Sequence, residues 1–235
     1  MLTLLKNLLY TMLCAVPVIL LTVWGEKAVR RKTGQPQRGR QSGLRRVTTV
    51  AMLSAVSFIL MLFDFPLPFL PSFYKIDLSE LPVLIGGFAL GPTAGILIEF
   101  IKLLLHLAVR GSDTAGVGEM ANFLIGMAFV LPASFIYLFK KTRKRAVIGM
   151  CCGIVCMTAA GCLLNAYLLL PMYASAFGMP LDSIVALGTA VNSSITSLNT
   201  FVILAVAPFN LIKGVVVSVI TELVYKRLSR TINNG

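Results

Sequence analysis

Asn210 and Lys213 stand three residues apart inside the apolar run from Phe201 to Tyr225, so one helix face carries both. An ammonium beside a carboxamide makes a donor-rich spot. It suits a ligand with carbonyl oxygens, ring nitrogens or a carboxylate. The same lysine could instead pair with a carboxylate of a neighbouring helix. Pro208 precedes the pair, removes a backbone donor and predicts a kink. Glu119 and Asn122 repeat the three-residue spacing behind Gly116 and Gly118. They either contact a ligand from outside, or Glu119 caps or pairs within the bundle. Asn165 lies in "GCLLNAYLLLPMY", where a lone amide either meets a ligand or bonds another helix. Glu99, Lys102 and His106 follow an i, i+3, i+7 stripe, in which the Glu–Lys pair can neutralise itself and act structurally. A single histidine argues against a metal site. Asp77, Glu80 and Glu222 complete the polar groups set within apolar surroundings.

These side chains need apolar elements to hold them. The chain has 235 residues, 57% hydrophobic and only 13% charged, against roughly 25% charged in soluble domains. That deficit places it among integral membrane proteins. Apolar segments long enough for helices fall near residues 4–24, 46–63, 116–139, 146–170 and 201–225. A further long run is broken by Gly91-Pro92, a turn signal that predicts a short helix near 77–90 and another near 92–109.

The net charge of +12 is distributed as a topology signal. Sixteen of the twenty-one basic residues lie in three clusters that flank apolar segments: Lys27 to Arg46, Lys140 to Arg145, and Lys226 to Arg230. Cytoplasmic loops carry this excess. It fits anionic lipid and argues against nucleic acid as a partner. With these clusters inside, the 64–76 loop lies outside, the Gly91-Pro92 turn inside, and the C-terminus in the cytoplasm. The first segment has no small-x-small cleavage site and is followed by strong positive charge. It is expected to be a retained anchor helix with its N-terminus outside. The five cysteines lie within spans without a C-x-x-C, so neither a disulfide framework nor zinc is indicated.

Two external segments could cover a site. One holds four prolines and four aromatics between Asp64 and Pro82. The other runs from Pro171 to Thr200 and includes a possible short amphipathic helix with Leu181, Ile184, Val185 and Leu187. Together they suggest a lidded site open to the outside. No G-x-x-x-x-G-K-[ST] is present, so the chain carries no P-loop ATPase. No catalytic cluster stands out, and no strong internal repeat indicates a standalone inverted-repeat transporter. Ala51 and Ala55 give a small-x-x-x-small spacing that admits a partner helix.

The run "KIDLSELPVLIGGFALGPTAGILIEFIKLLLH", Lys75 to His106, resembles the second and third helices of riboflavin-specific S components of energy-coupling-factor (ECF) transporters, the RibU family. "GVGEMANFLIG" resembles the start of that family's fourth helix, and "APFNLIKG" its last helix. Ala51-x-x-x-Ala55 matches the first-helix motif by which S components dock on the transmembrane T component. The similarity covers about residues 45–230.

The resemblance implies an all-α integral membrane protein. A six-helix substrate-binding S-component domain would span residues 46–228, preceded by an extra N-terminal anchor helix, 1–24, and a basic cytoplasmic linker, 25–45. It implies a non-enzymatic subunit of a vitamin importer in a bacterial-type cell membrane, with a T component and two ABC-type ATPases as partners. No cofactor is implied; riboflavin, or its phosphate FMN, is the transported ligand. Asn165, Asn210 and Lys213 would meet the polar edge of the flavin ring, and Glu119 and Asn122 the ribityl chain. Tyr74 belongs to the 69–74 loop that would wall the ring, while Lys75 and Asp77 would order that first loop. The alternatives are an S component for thiamine or folate, or a membrane scaffold.

Overall fold

The structure, a computed structural model, describes residues 2–34, 42–68 and 70–233. Arg38 and Arg40 of the first basic cluster, and Phe69 of the 69–74 loop, lie outside these residues, as do the side chains of Cys14, Lys226, Arg227 and Arg230.

The chain is an α-helical bundle. Helix α1 covers Leu2–Thr33, α2 Ser42–Leu62, α3 Glu80–Leu90, α4 Pro92–Val109, α5 Val117–Phe139 and α6 Arg143–Leu164. Then come α7 (Leu170–Phe177), α8 (Leu181–Val191), α9 (Leu198–Phe201) and α10 (Ala207–Asn233). Among the described residues, five helical stretches are long and apolar enough to cross a membrane: Gly43–Leu62, Pro92–Val109, Val117–Phe139, Arg143–Phe177 and Leu198–Val224. The expected linker begins later than residue 25, because α1 continues to Thr33.

Helix α3 is the informative exception. Its 11 residues rise roughly 16 Å, about half of a hydrocarbon core. Gly91, at φ 104°, ends it by bonding its N–H back to Gly87, and Pro92 opens α4 at once, where no amide donor is needed. The α3–α4 hairpin therefore turns at Gly91, and α3 is too short to span a hydrocarbon core by itself. Above it lies the 63–79 loop. That loop closes on itself through a two-residue antiparallel ribbon, β1 (Phe65–Pro66) and β2 (Lys75–Ile76), with Phe65 opposite Ile76.

The proline signals act as expected, but through π-helical turns. A π turn at Val202–Val206 ends two residues before Pro208, and another at Asn165–Leu169 ends two residues before Pro171. Each widens the helix where proline cannot donate, and the two turns pack against each other. Helical structure therefore continues through Pro171 to Phe177, beyond the expected end near residue 170. The amphipathic helix expected around Leu181 to Leu187 is α8.

Two large apolar cores result, with a smaller third cluster of Val117, Met120, Leu169 and Tyr173. The inner one joins α3, α4 and α5 around Val83, Leu84, Ile98, Phe123 and Val130. The outer one joins the 63–79 loop to α8, α9 and α10 through Leu70, Tyr74, Ile184, Phe201 and Phe209.

Candidate functional site

Between the two cores lies a cavity of about 570 Å³, within the range of small-molecule sites. Tyr74, Lys75, Asp77, Glu119, Asn122, Asn165, Asn210 and Lys213 all line it. Residues spread over 140 positions of sequence are thus brought to one space by the loop, α5, the π turn after α6, and α10.

Lys213 anchors the polar wall. It is only 6% exposed, and its Nζ lies 3.0 Å from the Asp77 carboxylate and 3.4 Å from Asn122 Oδ1. Lys213 thus pairs with a carboxylate, which comes from the 63–79 loop and not from a neighbouring helix, and it lines the cavity. Asp77 is fixed in turn by accepting the backbone N–H of Ser79 at 2.8 Å.

The two asparagines meet over Gly161. Asn165 donates to the Gly161 carbonyl at 2.8 Å, four residues back, and accepts from the Tyr74 hydroxyl at 2.7 Å. Burial pushes the Tyr74 phenol well above its usual range, with Tyr173 and Cys162 adding to the effect, so it stays an O–H donor. Asn210 donates to Val206, also four residues back, at 2.9 Å. A Cβ on Gly161 would sit 2.5 Å from Asn210 Nδ2, so the α10 amide reaches the cavity only because residue 161 lacks one. Asn210 Oδ1 is buried without a hydrogen-bond partner among the described residues. It is a ready acceptor for a ligand N–H.

The apolar walls are aromatic. Phe73, Tyr74, Tyr173, Phe177 and Phe209 line the cavity, with Phe73 and Tyr173 ring centres 5.1 Å apart and Tyr74 and Phe209 5.2 Å apart. A flat ring system can lie among such faces.

Glu119 belongs to a different cluster from Asn122, although both share a helix. It accepts from Ser112 at 2.7 Å and faces His106 at 3.8 Å, toward the rim made by the α4–α5 loop. Lys75 and Arg110 share Asp64 at 3.1 and 3.2 Å, which ties the ribbon to the end of α4.

Glu80 also lines the cavity, a position the sequence analysis did not assign. One carboxylate oxygen meets Lys102 at 3.1 Å; the other is buried and unpartnered among the described residues. The sequence signal was its place as a carboxylate within apolar surroundings, which marks it as unusual without saying that it faces a cavity. Tyr173, Phe177 and Phe209 were missed too, because nothing local in an apolar run marks which aromatic faces inward.

Residues 45–225 match the family described as the ECF transporter substrate-specific component. The chain belongs to that family. The matched residues include every cavity-lining side chain and leave out α1. Riboflavin transporter FmnP of Bacillus subtilis is 37% identical over 187 residues, covering 79% of this chain and 92% of the relative. Riboflavin transporter RibU of Staphylococcus aureus is 34% identical over 200 residues, covering 85% and 95%. A solved structure of the S component of a bacterial ECF transporter superposes with a TM-score of 0.65 at 33% identity, covering 80% of this chain and 97% of that one.

Proposed function

We propose that this S component captures riboflavin from the outer side of a bacterial cell membrane. The carrying observation is the polar wall: the Lys213 ammonium and the unpartnered Asn210 Oδ1 are presented together beside aromatic faces. The pyrimidine edge of a flavin offers two carbonyl oxygens and one ring N–H. Lys213 and the Asn165 or Asn122 amides donate to the first; Asn210 Oδ1 accepts from the second. Asn122 thus works with Lys213, while Glu119 and His106 receive the ribityl hydroxyls near the rim. FMN would place its phosphate near that rim. The names of the relatives support the same substrate class.

The chain acts with partners. A T component and two ABC-type ATPases supply the energy for import, in keeping with the family and with the missing P-loop. Ala51 and Ala55 are exposed on α2, where they leave room for a helix of the T component. The basic clusters orient the segments that follow Thr33 and Phe139, and the C-terminus, to the cytoplasm. The six-helix domain is residues 46–228.

The test is direct. Protein purified in mild detergent should carry a flavin absorbance band near one equivalent, and heat should release free riboflavin identified by chromatography. A colourless protein that fails to quench the fluorescence of added riboflavin sinks the flavin reading, and thiamine and folate are then screened.

A further inference from the structure

Helix α1 lies outside the part of the chain that matches the family. It is nevertheless bonded into the bundle near both its ends. At the inner end, Glu26 is 3% exposed and accepts from the backbone N–H and the hydroxyl of Thr93, at 2.9 and 2.5 Å. Arg30 bonds Glu26 at 2.9 Å and reaches the Leu90 carbonyl at 3.4 Å. The acid thus caps the N-terminus of α4 and the base meets the C-terminus of α3, each matching the local helix dipole. Gly91 leaves space for the carboxylate, since a Cβ there would sit 2.6 Å from Glu26 Oε1.

At the outer end, Asn7 is 5% exposed and donates its amide to the Ala115 carbonyl at 2.8 Å. Ala115 has φ +50°, a left-handed backbone that a non-glycine residue adopts at a cost. It sits in the α4–α5 loop, whose Asp113 and Thr114 line the cavity and whose Ser112 holds Glu119. The spacing fits. Asn7 to Glu26 rises roughly 28 Å, and the 18 residues of α4 rise roughly 27 Å, so α1 runs antiparallel along α4 and meets both its ends. Between the clamps α1 packs on α4 and α5, with Ala15 buried in the inner core.

We infer that α1 is a splint: it locks the α3–α4 hairpin inside, and through Asn7 it holds the cavity rim in its strained, closed form. Asn7 is a positioning residue. It lines no part of the cavity, and it acts on the ligand through Ala115 and the loop. The extra helix thereby sets how fast ligand enters and leaves.

The test begins with hydrogen exchange on the ligand-free full chain, which does not rest on the riboflavin reading. Asn7→Leu should raise exchange of the amides from Gly111 to Val117 by roughly 5- to 30-fold, the effect of one buried hydrogen bond. The Gly91–Gly95 amides, held by the inner clamp, should stay native. Native exchange at 111–117 overturns the inference. Opening of both regions together also overturns it, because α1 has then detached as a whole. Should Asn7→Leu fail to fold, Asn7→Ala, which removes the donor and adds no charge, is read in the same way. The second measurement rests on the flavin reading: stopped-flow quenching should show riboflavin release from Asn7→Leu accelerated by a similar factor. Wild-type protein that does not bind riboflavin removes that reading and leaves the exchange result standing.

Discussion

Two lysines, Lys102 and Lys213, lie in neighbouring regions of the bundle and meet different fates. Lys102 is fully buried below the cavity. Its Nζ meets Glu99 at 2.7 Å, Glu80 at 3.1 Å and the Ser79 hydroxyl at 3.1 Å, so its three donors are used. Lys213 has one carboxylate, Asp77, and a longer contact to Asn122, and it faces open space. The residue type and the apolar surroundings are alike. What differs is how completely the protein answers the charge. A satisfied ammonium holds helices together; an incompletely satisfied one at a cavity wall is available to a ligand.

The largest effect should come from breaking the satisfied site. Lys102→Met leaves Glu80 and Glu99 facing each other without a counter-charge, and removing one partner of a buried ion pair costs about 3–5 kcal/mol. Unfolding in detergent, followed by helical signal, should show a destabilised or unfolded bundle. A variant with native stability would mean that the cluster does not hold α3 to α4.

Lys213 should behave in the opposite way. Lys213→Ala combined with Asp77→Asn removes the pair without stranding a buried carboxylate. Stability should change little, while the dissociation constant for riboflavin rises roughly 10- to 150-fold, the range for a lost hydrogen bond to a charged donor. Unchanged affinity in a well-folded double variant takes Lys213 out of the site and erases the contrast with Lys102.

Gly161→Ala probes the same wall without touching a charge. The new methyl group must displace the Asn210 amide, and overpacking of this kind costs about 1–3 kcal/mol. Affinity should fall roughly 5- to 10-fold through the shifted acceptor. Equal affinity would show that the π turn before Pro208 lets Asn210 move aside freely.

Much of this was legible in the sequence, for reasons that mark what was not. Gly91-Pro92 announced the hairpin because a turn in an apolar run has few other causes. Asn165, Asn210 and Lys213 could be singled out because amides and ammoniums at membrane depth demand a reason. The Glu99–Lys102 pair followed from helix spacing alone. Glu80, however, joins that pair from another helix, and no periodicity within one segment reports a contact between two. The π turns were visible only as proline-induced kinks; their effect, carrying the helix through Pro171, depends on backbone geometry that residue types do not encode. The docking of α1 was hidden for the same reason. Glu26 and Arg30 looked like part of a basic linker, yet their partners Thr93 and Leu90 lie 67 and 60 positions further along the chain.

The smallest effect should come from the ion pair in the most solvent-accessible setting. Arg143 bonds Glu222 through two nitrogens, at 3.0 and 2.5 Å, in closer contact than Lys213 makes with Asp77. Its side chain is 60% exposed, at the start of α6 within the basic cluster Lys140 to Arg145. Water there screens the attraction and hydrates either partner when the other is removed, so exposed pairs contribute about 0–1 kcal/mol. Arg143→Ala should leave both unfolding and riboflavin affinity near wild type. A loss approaching that of Lys102→Met would mean that this end of α6 is buried against a partner or against lipid headgroups. Burial, and not distance, would then still be what ranks the three cations.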